Sequence, residues 1–300
     1  MQRKTLLRDG AACDAIYFDD VAQEAWLPGW SQSYRRLQVG PYRAQVTRLA
    51  LPGMLLARER INLAVQNEFT VPEDQVYLYF DLAAARERTG HINAKLYQPG
   101  RCYGAFLEAG CDDLMICLPG CEFKKYGIEK LEALTLSHCD YGLSSWALTL
   151  LEGVMAGYVS EKLLALAPKL ALDQISAMLH DGEDPRPRGV GLERQFRDLF
   201  ELCSSLPADM LTVTDIAAVS KRTPADLRHI CQAVTGLRLD AMLQAWRLSA
   251  VHRVLHHAAP CEVSVTAVAM DHGFTHWGRF SAAYRDMFGV LPSETLRAPT

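Results

Sequence analysis

Small and polar side chains near the carboxyl end of the sequence have the spacing of a binding surface. The stretch GFTHWGRFSAAYRDMFG covers Gly273–Gly289. On a helix that turns by about 100° per residue, Phe280 and Tyr284 lie on an apolar face. Gly278 and Ala282 lie on the opposite face, which arginine and serine side chains border. Guanidinium and hydroxyl groups bind phosphates and base edges, so this stripe predicts close contact with another molecule.

The same arrangement occurs twice in the last third of the chain. Thr212 and Ser264 are 52 positions apart, and each precedes a short apolar helical pattern. After the following turn the offset becomes 53, so that Leu227 corresponds to Phe280. Thr212 and Asp215 have the spacing of a capping box. The repeat predicts two copies of one structural unit, the second with a turn one residue longer.

Each copy has the outline of a helix-turn-helix. Small outward residues allow a helix to enter a major groove about 12 Å wide, while polar neighbours reach base edges and phosphates. The candidate DNA-contacting residues are Ala225, Arg228, His229 and Gln232 in the first copy, and His276, Trp277, Gly278, Arg279, Ser281, Ala282 and Arg285 in the second. For Trp277 and His229, packing or plain exposure remains an alternative, and Arg228, Arg279 and Arg285 could be ordinary solvated charges.

A long amphipathic segment, Leu239–His257, separates the two copies. As a continuous helix it would span about 28 Å at 1.5 Å per residue. That length is close to one DNA turn of about 34 Å, so both copies could enter successive major grooves. His256 and His257 would complement the helix dipole at its end, which favours a structural role for them over metal binding.

The first 140 residues contain short segments with the composition of strands, punctuated by glycine, proline and charged turns. The segments are Tyr42–Leu51, Gly53–Ile61, Asp74–Leu82, His91–Gln98, Arg101–Ala109 and Asp113–Gly120. Helical periodicity follows in Ser144–Ser160, Ser160–His180 and Leu192–Leu206, and Pro168 is expected to break the second of these helices. The segment Asp181–Gly189 has the composition of a linker. Strands followed by helices predict an α+β protein, with a β-sandwich or barrel first and an all-α unit last.

The composition excludes several classes of protein. No apolar run is long enough to span a membrane, and the amino-terminal residues lack a secretory pattern, which predicts a soluble cytoplasmic protein. The nine cysteines contain no CxxC pair, which favours buried free thiols over a metal or redox site. The net charge is −4, and from residue 207 onward nine basic residues face eight acidic ones. Binding to DNA would therefore depend on a few arginines and helix termini, with a shallow salt dependence.

The carboxy-terminal third resembles the DNA-binding domain of AraC/XylS-type bacterial transcription regulators. The resemblance covers about residues 205–298 and rests on RTPADLRHICQAVTG, WRLSAVHRVL and VAMDHGFTHWGRFSAAYRDMFGVLPSETLR. The GFxHxGxF and PSETLR forms resemble the branch that contains ethanolamine-utilisation regulators. A weaker similarity to the sensor domain of that branch covers Trp30–Leu51. His229 and Ala282 depart from the family, which commonly has arginine or another long polar residue at these positions.

The resemblance implies three parts in the chain. Residues 1–140 would form a cupin-like sensor, 141–205 a helical dimerisation and linker segment, and 206–300 the DNA-binding domain, with helix-turn-helix units at about 212–234 and 264–288. The expected partners are double-stranded promoter DNA, a second copy of the chain through helices 144–180, and RNA polymerase. A small-molecule effector of the sensor is a further expectation, and the alternative is a regulator that needs no ligand and is controlled by its abundance or by a partner.

An alternative is a cupin-like small-molecule binding protein or enzyme with an interaction tail. A metal-dependent cupin would need clustered histidines, and the sequence contains no HxH motif, so no catalytic residue, metal or cofactor is expected. Arg58 and Arg60 alternate onto one face of a strand, where they could bind an acidic ligand or simply face solvent. Aromatic residues of the amino-terminal half could line a ligand pocket, but the sequence does not select them.

Overall fold

The computed structural model describes residues 12–83, 92–125, 135–139, 141–181 and 191–298. The strands are β1 (Ala12–Tyr17), β2 (Ser31–Arg36), β3 (Ala44–Leu51), β4 (Met54–Ile61), β5 (Val65–Thr70), β6 (Gln75–Asp81), β7 (Ile92–Tyr97), β8 (Cys102–Leu107), β9 (Cys111–Pro119) and β10 (Thr135–Cys139). The helices are α1 (Asp20–Gln23), α2 (Gly120–Lys125), α3 (Tyr141–Met155), α4 (Glu161–Asp181), α5 (Leu192–Ser205), α6 (Val213–Ser220), α7 (Pro224–Thr235), α8 (Leu239–His257), α9 (Val265–Asp271), α10 (Trp277–Phe288) and α11 (Pro292–Arg297).

Two antiparallel sheets form the amino-terminal unit. The larger sheet has the strand order β1-β3-β4-β9-β6-β7-β10, and the smaller has the order β2-β5-β8. A core rich in aromatic side chains fills the space between them, with Tyr34 and Phe69 from the small sheet and Tyr77 and Met115 from the large one. This β-rich region followed by a helical region agrees with the mixed α and β composition expected from the sequence.

The large sheet is also covered on its second face, by α3 and α4. Leu56, Leu78 and Ile116 on that face pack against Leu150 and Ala171 from the helices. Burial on both faces explains the nearly continuous apolar run of β9, because neither side of this strand meets solvent.

Arg58 attaches the sheet to α3 instead of facing solvent or awaiting a ligand. Its guanidinium binds both carboxylate oxygens of Asp112, at 2.7 and 2.8 Å, and the carboxylate of Glu152 on α3 at 3.1 Å. Both interpretations of this arginine from the sequence were therefore wrong. Arg60 is exposed.

Helix α4 continues through Pro168, so the expected break does not occur. Proline at this position removes one backbone hydrogen bond. Ala167, Ala171 and Ile175 are nevertheless fully buried against the sheet, before and after the proline. Packing over the whole length of the helix compensates for the lost bond. The linker segment Asp181–Gly189 lies, apart from Asp181, outside the described residues.

The prediction that the cysteines are buried free thiols is only partly confirmed. The eight whose side chains the structure describes are free thiols, and four of them, Cys111, Cys117, Cys203 and Cys231, are buried. Cys102, Cys121 and Cys261 are exposed, so burial does not apply to all of them. No helix in the described ranges combines the length and hydropathy needed to span a bilayer.

Candidate nucleic-acid interface

The first of two similar helix pairs consists of α6 and α7. The Thr212 hydroxyl accepts the Asp215 N–H at 3.2 Å, and the Thr223 hydroxyl accepts the Asp226 N–H at 3.1 Å, so a side chain caps the start of each helix. Pro224 occupies the first turn of α7, where its missing N–H costs nothing. These local signals explain why the helices begin at the residues that the sequence indicated.

The second helix pair, α9 and α10, repeats the first. The Ser264 hydroxyl accepts the Ala267 N–H at 3.1 Å, in the manner of Thr212. Lys221, with φ of 56°, and Gly273, with φ of 78°, are 52 positions apart and both adopt the left-handed conformation in the turn. At Gly273 a Cβ would lie 3.2 Å from the Asp209 Cα, a tight contact that together with the positive φ favours glycine there.

The inner faces of α7 and α10 are buried at equivalent positions. Leu227 and Cys231 in α7 are fully enclosed, and so are Phe280 and Tyr284 in α10. Both helices end at a glycine in the left-handed conformation, Gly236 and Gly289. The sequence repeat therefore corresponds to two helix pairs with the same local structure.

The outer face of α7 is exposed but partly engaged within the chain. The guanidinium of Arg228 binds the carboxylate of Asp240 on α8, with N–O distances of 2.9 and 3.3 Å. The Gln232 amide donates to the Gly236 carbonyl at 2.9 Å. Ala225 and His229 complete this exposed surface. Arg228 must give up its pair with Asp240 before it can bind another anion with the same groups.

The outer face of α10 carries two uncommitted arginines. The side chains of Arg279 and Arg285 are exposed and make no hydrogen bond or ion pair with any residue that the structure describes. His276, Gly278 and Ala282 are exposed as well, whereas Ser281 is half-buried. A narrow helix surface bordered by two available guanidinium groups can approach a polyanion closely and bind its phosphates.

Trp277 begins α10 at the edge of this face. Its side chain is 38% exposed, and its ring lies edge-on to Phe280 with 6.4 Å between centroids. The residue therefore both packs against Phe280 and presents surface to solvent.

The second helix pair is fixed to the amino-terminal unit by polar contacts that the sequence did not predict. His252 on α8 lies between Tyr284 and Asp19, with its ring nitrogens 2.7 Å from the Tyr284 hydroxyl and 2.9 Å from an Asp19 oxygen. Burial alone would raise the pKa of Asp19, but the hydrogen bond and charge of His252, the Ala22 N–H and the charge of Arg36 hold that pKa well below its usual range. The sequence signal for this contact was the position of His252 among the apolar residues of an amphipathic helix, where a polar side chain needs a buried partner.

Arg36 connects the same two regions at the end of β2. Its Nε donates to Asp20 at 2.6 Å, and its Nη1 donates to the Met287 carbonyl of α10 at 3.3 Å. The guanidinium lies between the rings of Tyr42 and Phe288, 4.8 Å from each centroid. A buried arginine with these partners holds α10 at a set position on the amino-terminal unit.

The first helix pair meets the amino-terminal unit through α5. Phe196 and Phe200 on α5 belong to a core that also contains Leu227 of α7 and Trp246 of α8. One turn after Phe200, the Gln66 amide of β5 donates to the Ser204 hydroxyl at 3.0 Å. Helix α5 therefore contacts both the small sheet and the first helix pair.

A cavity of about 530 Å³ opens between the two sheets and α5. Its lining includes the aromatic residues Trp30, Phe69, Tyr77, Tyr79, Tyr97, Tyr103, Phe106, Phe196 and Phe200. The buried carboxyl groups of Glu59 and Asp113 also line it, as does Val234 at the end of α7. Burial raises the pKa of Glu59 to about 7 and that of Asp113 well above its usual range. The abundance of aromatic residues in the sequence was consistent with such a cavity. Which of them line it is determined by how the two sheets and α5 pack together.

Asp19, Asp20 and His252 lie close enough together to be considered as metal ligands. Arg36 already binds both carboxylates, at 2.6 Å to Asp20 and 3.5 Å to Asp19. His252 uses its second ring nitrogen on Tyr284. A cation in this place would face the guanidinium charge directly, so the group acts as an ion-pair cluster between the two regions.

Comparisons with known proteins give a family match for part of the chain and several similar regulators. Residues 214–298 match the family model described as a helix-turn-helix domain. A probable thc operon regulatory protein of Rhodococcus erythropolis is 30% identical over 162 residues, which cover 50% of this chain and 48% of that protein. An XylDLEGF operon transcriptional activator of Pseudomonas putida is 30% identical over 87 residues, which cover 29% of this chain and 27% of that protein.

A solved structure is also similar to part of the chain. The crystal structure of a probable AraC family transcriptional regulator from Rhodopseudomonas palustris CGA009 is 31% identical and covers 34% of this chain and 93% of its own, with a TM-score of 0.29. Residues 214–298 thus have the sequence of a helix-turn-helix domain. The chain spans about half the length, or less, of the two operon regulators it matches. Both relatives are operon regulators.

Proposed function

We propose that this chain is a sequence-specific DNA-binding transcription regulator. Its two helix pairs, α6–α7 and α9–α10, act as helix-turn-helix units that enter successive major grooves of promoter DNA. One observation carries the proposal: α7 and α10 bury equivalent inner faces and leave equivalent outer faces exposed, within the region that matches a helix-turn-helix domain. A recognition helix requires that division between a packed and an open face.

The proposed contacts differ between the two units. In α10, Gly278 and Ala282 allow close approach, while Arg279 and Arg285 bind phosphates or base edges. His276, Trp277 and Ser281 lie at the border of the same surface. In α7, Ala225 takes the place of the small residue, and Arg228, His229 and Gln232 supply the polar contacts. Because Arg228 is paired with Asp240, the second unit contributes more to affinity than the first.

The amino-terminal unit is proposed to be a cupin-like sensor within residues 1–140. Residues 141–205 would form the dimerisation and linker segment, and 206–300 the DNA-binding domain. The cavity between the sheets and α5 is large enough for a small effector. An effector there touches α5 and Val234, so it can change the position of the first unit only if it binds one arrangement more tightly.

The remaining partners follow from the same proposal. A homodimer would form through α3 and α4, where Leu163, Leu166 and Leu170 leave an apolar stripe exposed on α4. The regulator would act as an activator in the cytoplasm and contact RNA polymerase at the promoter. The similarity to the branch of ethanolamine-utilisation regulators belongs to this proposal as well.

A mobility-shift titration with DNA from upstream of the protein's own coding sequence tests the proposal. Arg279→Ala and Arg285→Ala should each weaken binding by about 1–3 kcal/mol if the side chain contacts a base edge. Arg43→Ala is the matched control, because it removes an exposed arginine of the amino-terminal unit and should leave affinity unchanged. Unchanged binding in both α10 variants would contradict the contact assignments. Absence of binding to any promoter fragment would favour the small-molecule binding protein.

A further inference from the structure

The cavity between the sheets and α5 has walls of a specific chemical kind. Tyr77 and Tyr97 stack with 5.0 Å between ring centroids, and Tyr97 meets Tyr103 edge-on at 4.7 Å. Trp30 and Phe69 pack on the same group of rings, 5.2 and 5.6 Å from Tyr77. Aromatic rings grouped around a space favour apolar groups and cations, because the ring faces carry partial negative charge.

The enclosed ionisable side chains of the cavity wall, other than tyrosine and cysteine, are carboxyl groups. Glu59 and Asp113 are each only 2% exposed. Glu59 accepts a hydrogen bond from the Tyr34 hydroxyl at 2.7 Å, and Asp113 accepts one from the Tyr79 hydroxyl at 2.8 Å. The two carboxyl groups therefore keep oxygens in the interior of the cavity, where an opposite charge would be strongly stabilised.

The basic groups of the cavity lie outside this interior. Lys95 is exposed, and its Nζ lies 5.6 Å from the centre of the Tyr79 ring. Arg197 is exposed on α5. An anion at the bottom of the cavity would meet the two buried carboxyl groups and the ring faces.

Hydrogen-bonding groups in the cavity wall lack partners within the described residues. These are the oxygens Gln32 Oε1 and Asn67 Oδ1, and the single donor Trp30 Nε1. Asn67 is 93% buried and Trp30 is 91% buried. Buried polar atoms are normally satisfied, so two unpaired acceptors in the wall of a cavity that also holds two carboxyl groups indicate a ligand that brings several N–H donors.

We propose that the cavity binds a small organic amine as its ammonium ion. The apolar body of the ligand packs on Trp30, Phe69 and Tyr97, and its N–H groups donate to Asp113 and to the open oxygens of Gln32 and Asn67. The inference deepens the sensor function proposed above and rests on it, because it names the class of effector that the sensor binds. Val234 and Phe200 also line this cavity, so the bound amine contacts the end of α7 and the helix on which α7 packs.

Isothermal titration calorimetry on the full chain at neutral pH tests the ligand class with three compounds of similar shape. Benzylamine is a cation, benzyl alcohol is neutral and benzoate is an anion, and all three carry the same ring. The expected result is that benzylamine binds at least tenfold more tightly than benzyl alcohol, and that benzoate binds more weakly than either. Equal binding of the amine and the alcohol, tightest binding of benzoate, or binding of none of them would overturn the proposal.

One variant and its control test whether Asp113 is the carboxyl group that binds the ammonium ion. Asp113→Asn should weaken benzylamine binding at least tenfold and leave benzyl alcohol binding unchanged. The amide keeps an oxygen acceptor for the Tyr79 hydroxyl, and an unchanged midpoint of chemical denaturation verifies folding. Glu108→Gln removes an exposed acid outside the cavity and should change nothing. Unchanged benzylamine affinity in Asp113→Asn would overturn the assignment.

The same preparations separate this inference from the proposed function. A protein that shifts promoter DNA but shows no preference for the ammonium ion overturns the inference alone. A protein that prefers benzylamine but binds no promoter fragment overturns the regulator proposal and leaves the ligand class standing.

Discussion

At the scale of single residues, Glu59 shows how burial changes the chemistry of a carboxyl group. The residue lies at the centre of β4, between the sheets, and receives hydrogen bonds from Tyr34 and Gln23. Burial outweighs these bonds and raises its pKa from 4.5 to about 7. The folded protein therefore holds a proton in a range of pH where the unfolded chain has released it.

The raised pKa predicts how stability depends on pH. A carboxyl group with a higher pKa in the folded state stabilises the fold fully below its unfolded pKa, and this contribution is lost as pH rises through the folded pKa. The free energy of unfolding should fall between about pH 5 and about pH 8, and Glu59→Gln should reduce that fall by up to about 3 kcal/mol. Urea denaturation at a series of pH values measures it. Glu108→Gln should retain the wild-type slope, and an unchanged slope in Glu59→Gln would refute the prediction.

Arg228 illustrates a different effect, competition for one guanidinium group. Its partner Asp240 has a lowered pKa, for which the hydrogen bond from Arg228 is the main cause. Without this carboxylate, the guanidinium group of Arg228 would be unpaired in the free protein and could bind DNA directly.

We expect Asp240→Asn to increase DNA affinity, because the arginine no longer exchanges one anion for another. In the Arg228→Ala background the same substitution should give a much smaller increase. A double-mutant cycle by fluorescence anisotropy measures the difference, and it separates release of Arg228 from the general effect of one fewer negative charge. Equal increases in the two backgrounds would show that Arg228 takes no part.

At the scale of secondary-structure elements, α10 combines a packed face with a face of small residues. A Cβ at Gly278 would meet nothing within 4 Å, so larger side chains fit there without disturbing the fold. Packing within the described residues therefore does not explain why position 278 is glycine. Close approach of another molecule to this face would explain it.

Two substitutions at Gly278 test this explanation. Gly278→Ala should stabilise the helix by up to about 1 kcal/mol and keep most of the DNA affinity, since alanine is small and favours helix. Gly278→Leu should keep the stability but reduce affinity at least tenfold, because the side chain prevents close approach to the groove. Thermal denaturation and mobility shifts measure the two properties. If Gly278→Leu binds as tightly as Gly278→Ala, α10 does not enter a groove through this face.

At the scale of the whole molecule, both helix pairs are held against the amino-terminal unit without loss of their outer faces. The first pair contacts it through α5, and the second through the cluster of Arg36, Asp20 and His252. A change in the cavity can therefore reach the first pair through a packed helix, while the ion-pair cluster fixes the second pair.

The exposed stripe on α4 leads to a prediction about assembly. Leu163, Leu166 and Leu170 are 40%, 55% and 38% exposed and lie on one side of the helix. If this stripe joins two copies, Leu166→Glu should convert dimer to monomer, because a carboxylate cannot be buried in an apolar contact without a partner. Sedimentation velocity measures the change. Ala165→Glu, an exposed neighbour outside the stripe, should leave the dimer intact, and a dimer that survives Leu166→Glu would exclude this interface.

The sequence predicted well where local signals decide the structure. Thr212, Thr223 and Ser264 cap helices through their own side chains, and a glycine ends α7 and α10 because it adopts the left-handed conformation at little cost. Helix α8 has the bounds that its periodicity predicted. The six strands recognised from composition, β3, β4, β6, β7, β8 and β9, are also present.

Tertiary structure decided the rest, since the deciding contacts join residues far apart in the chain. Strands β2 and β5 were missed because they contain polar residues that the fold buries: Arg36 in the ion-pair cluster, Gln66 against α5 and Asn67 along the cavity. Strands β1 and β10 were missed as well. Pro168 remains within a helix because residues before and after it in α4 pack on the large sheet. The aromatic and acidic residues of the cavity come from separate strands and from α5, and no spacing along the chain shows that they meet.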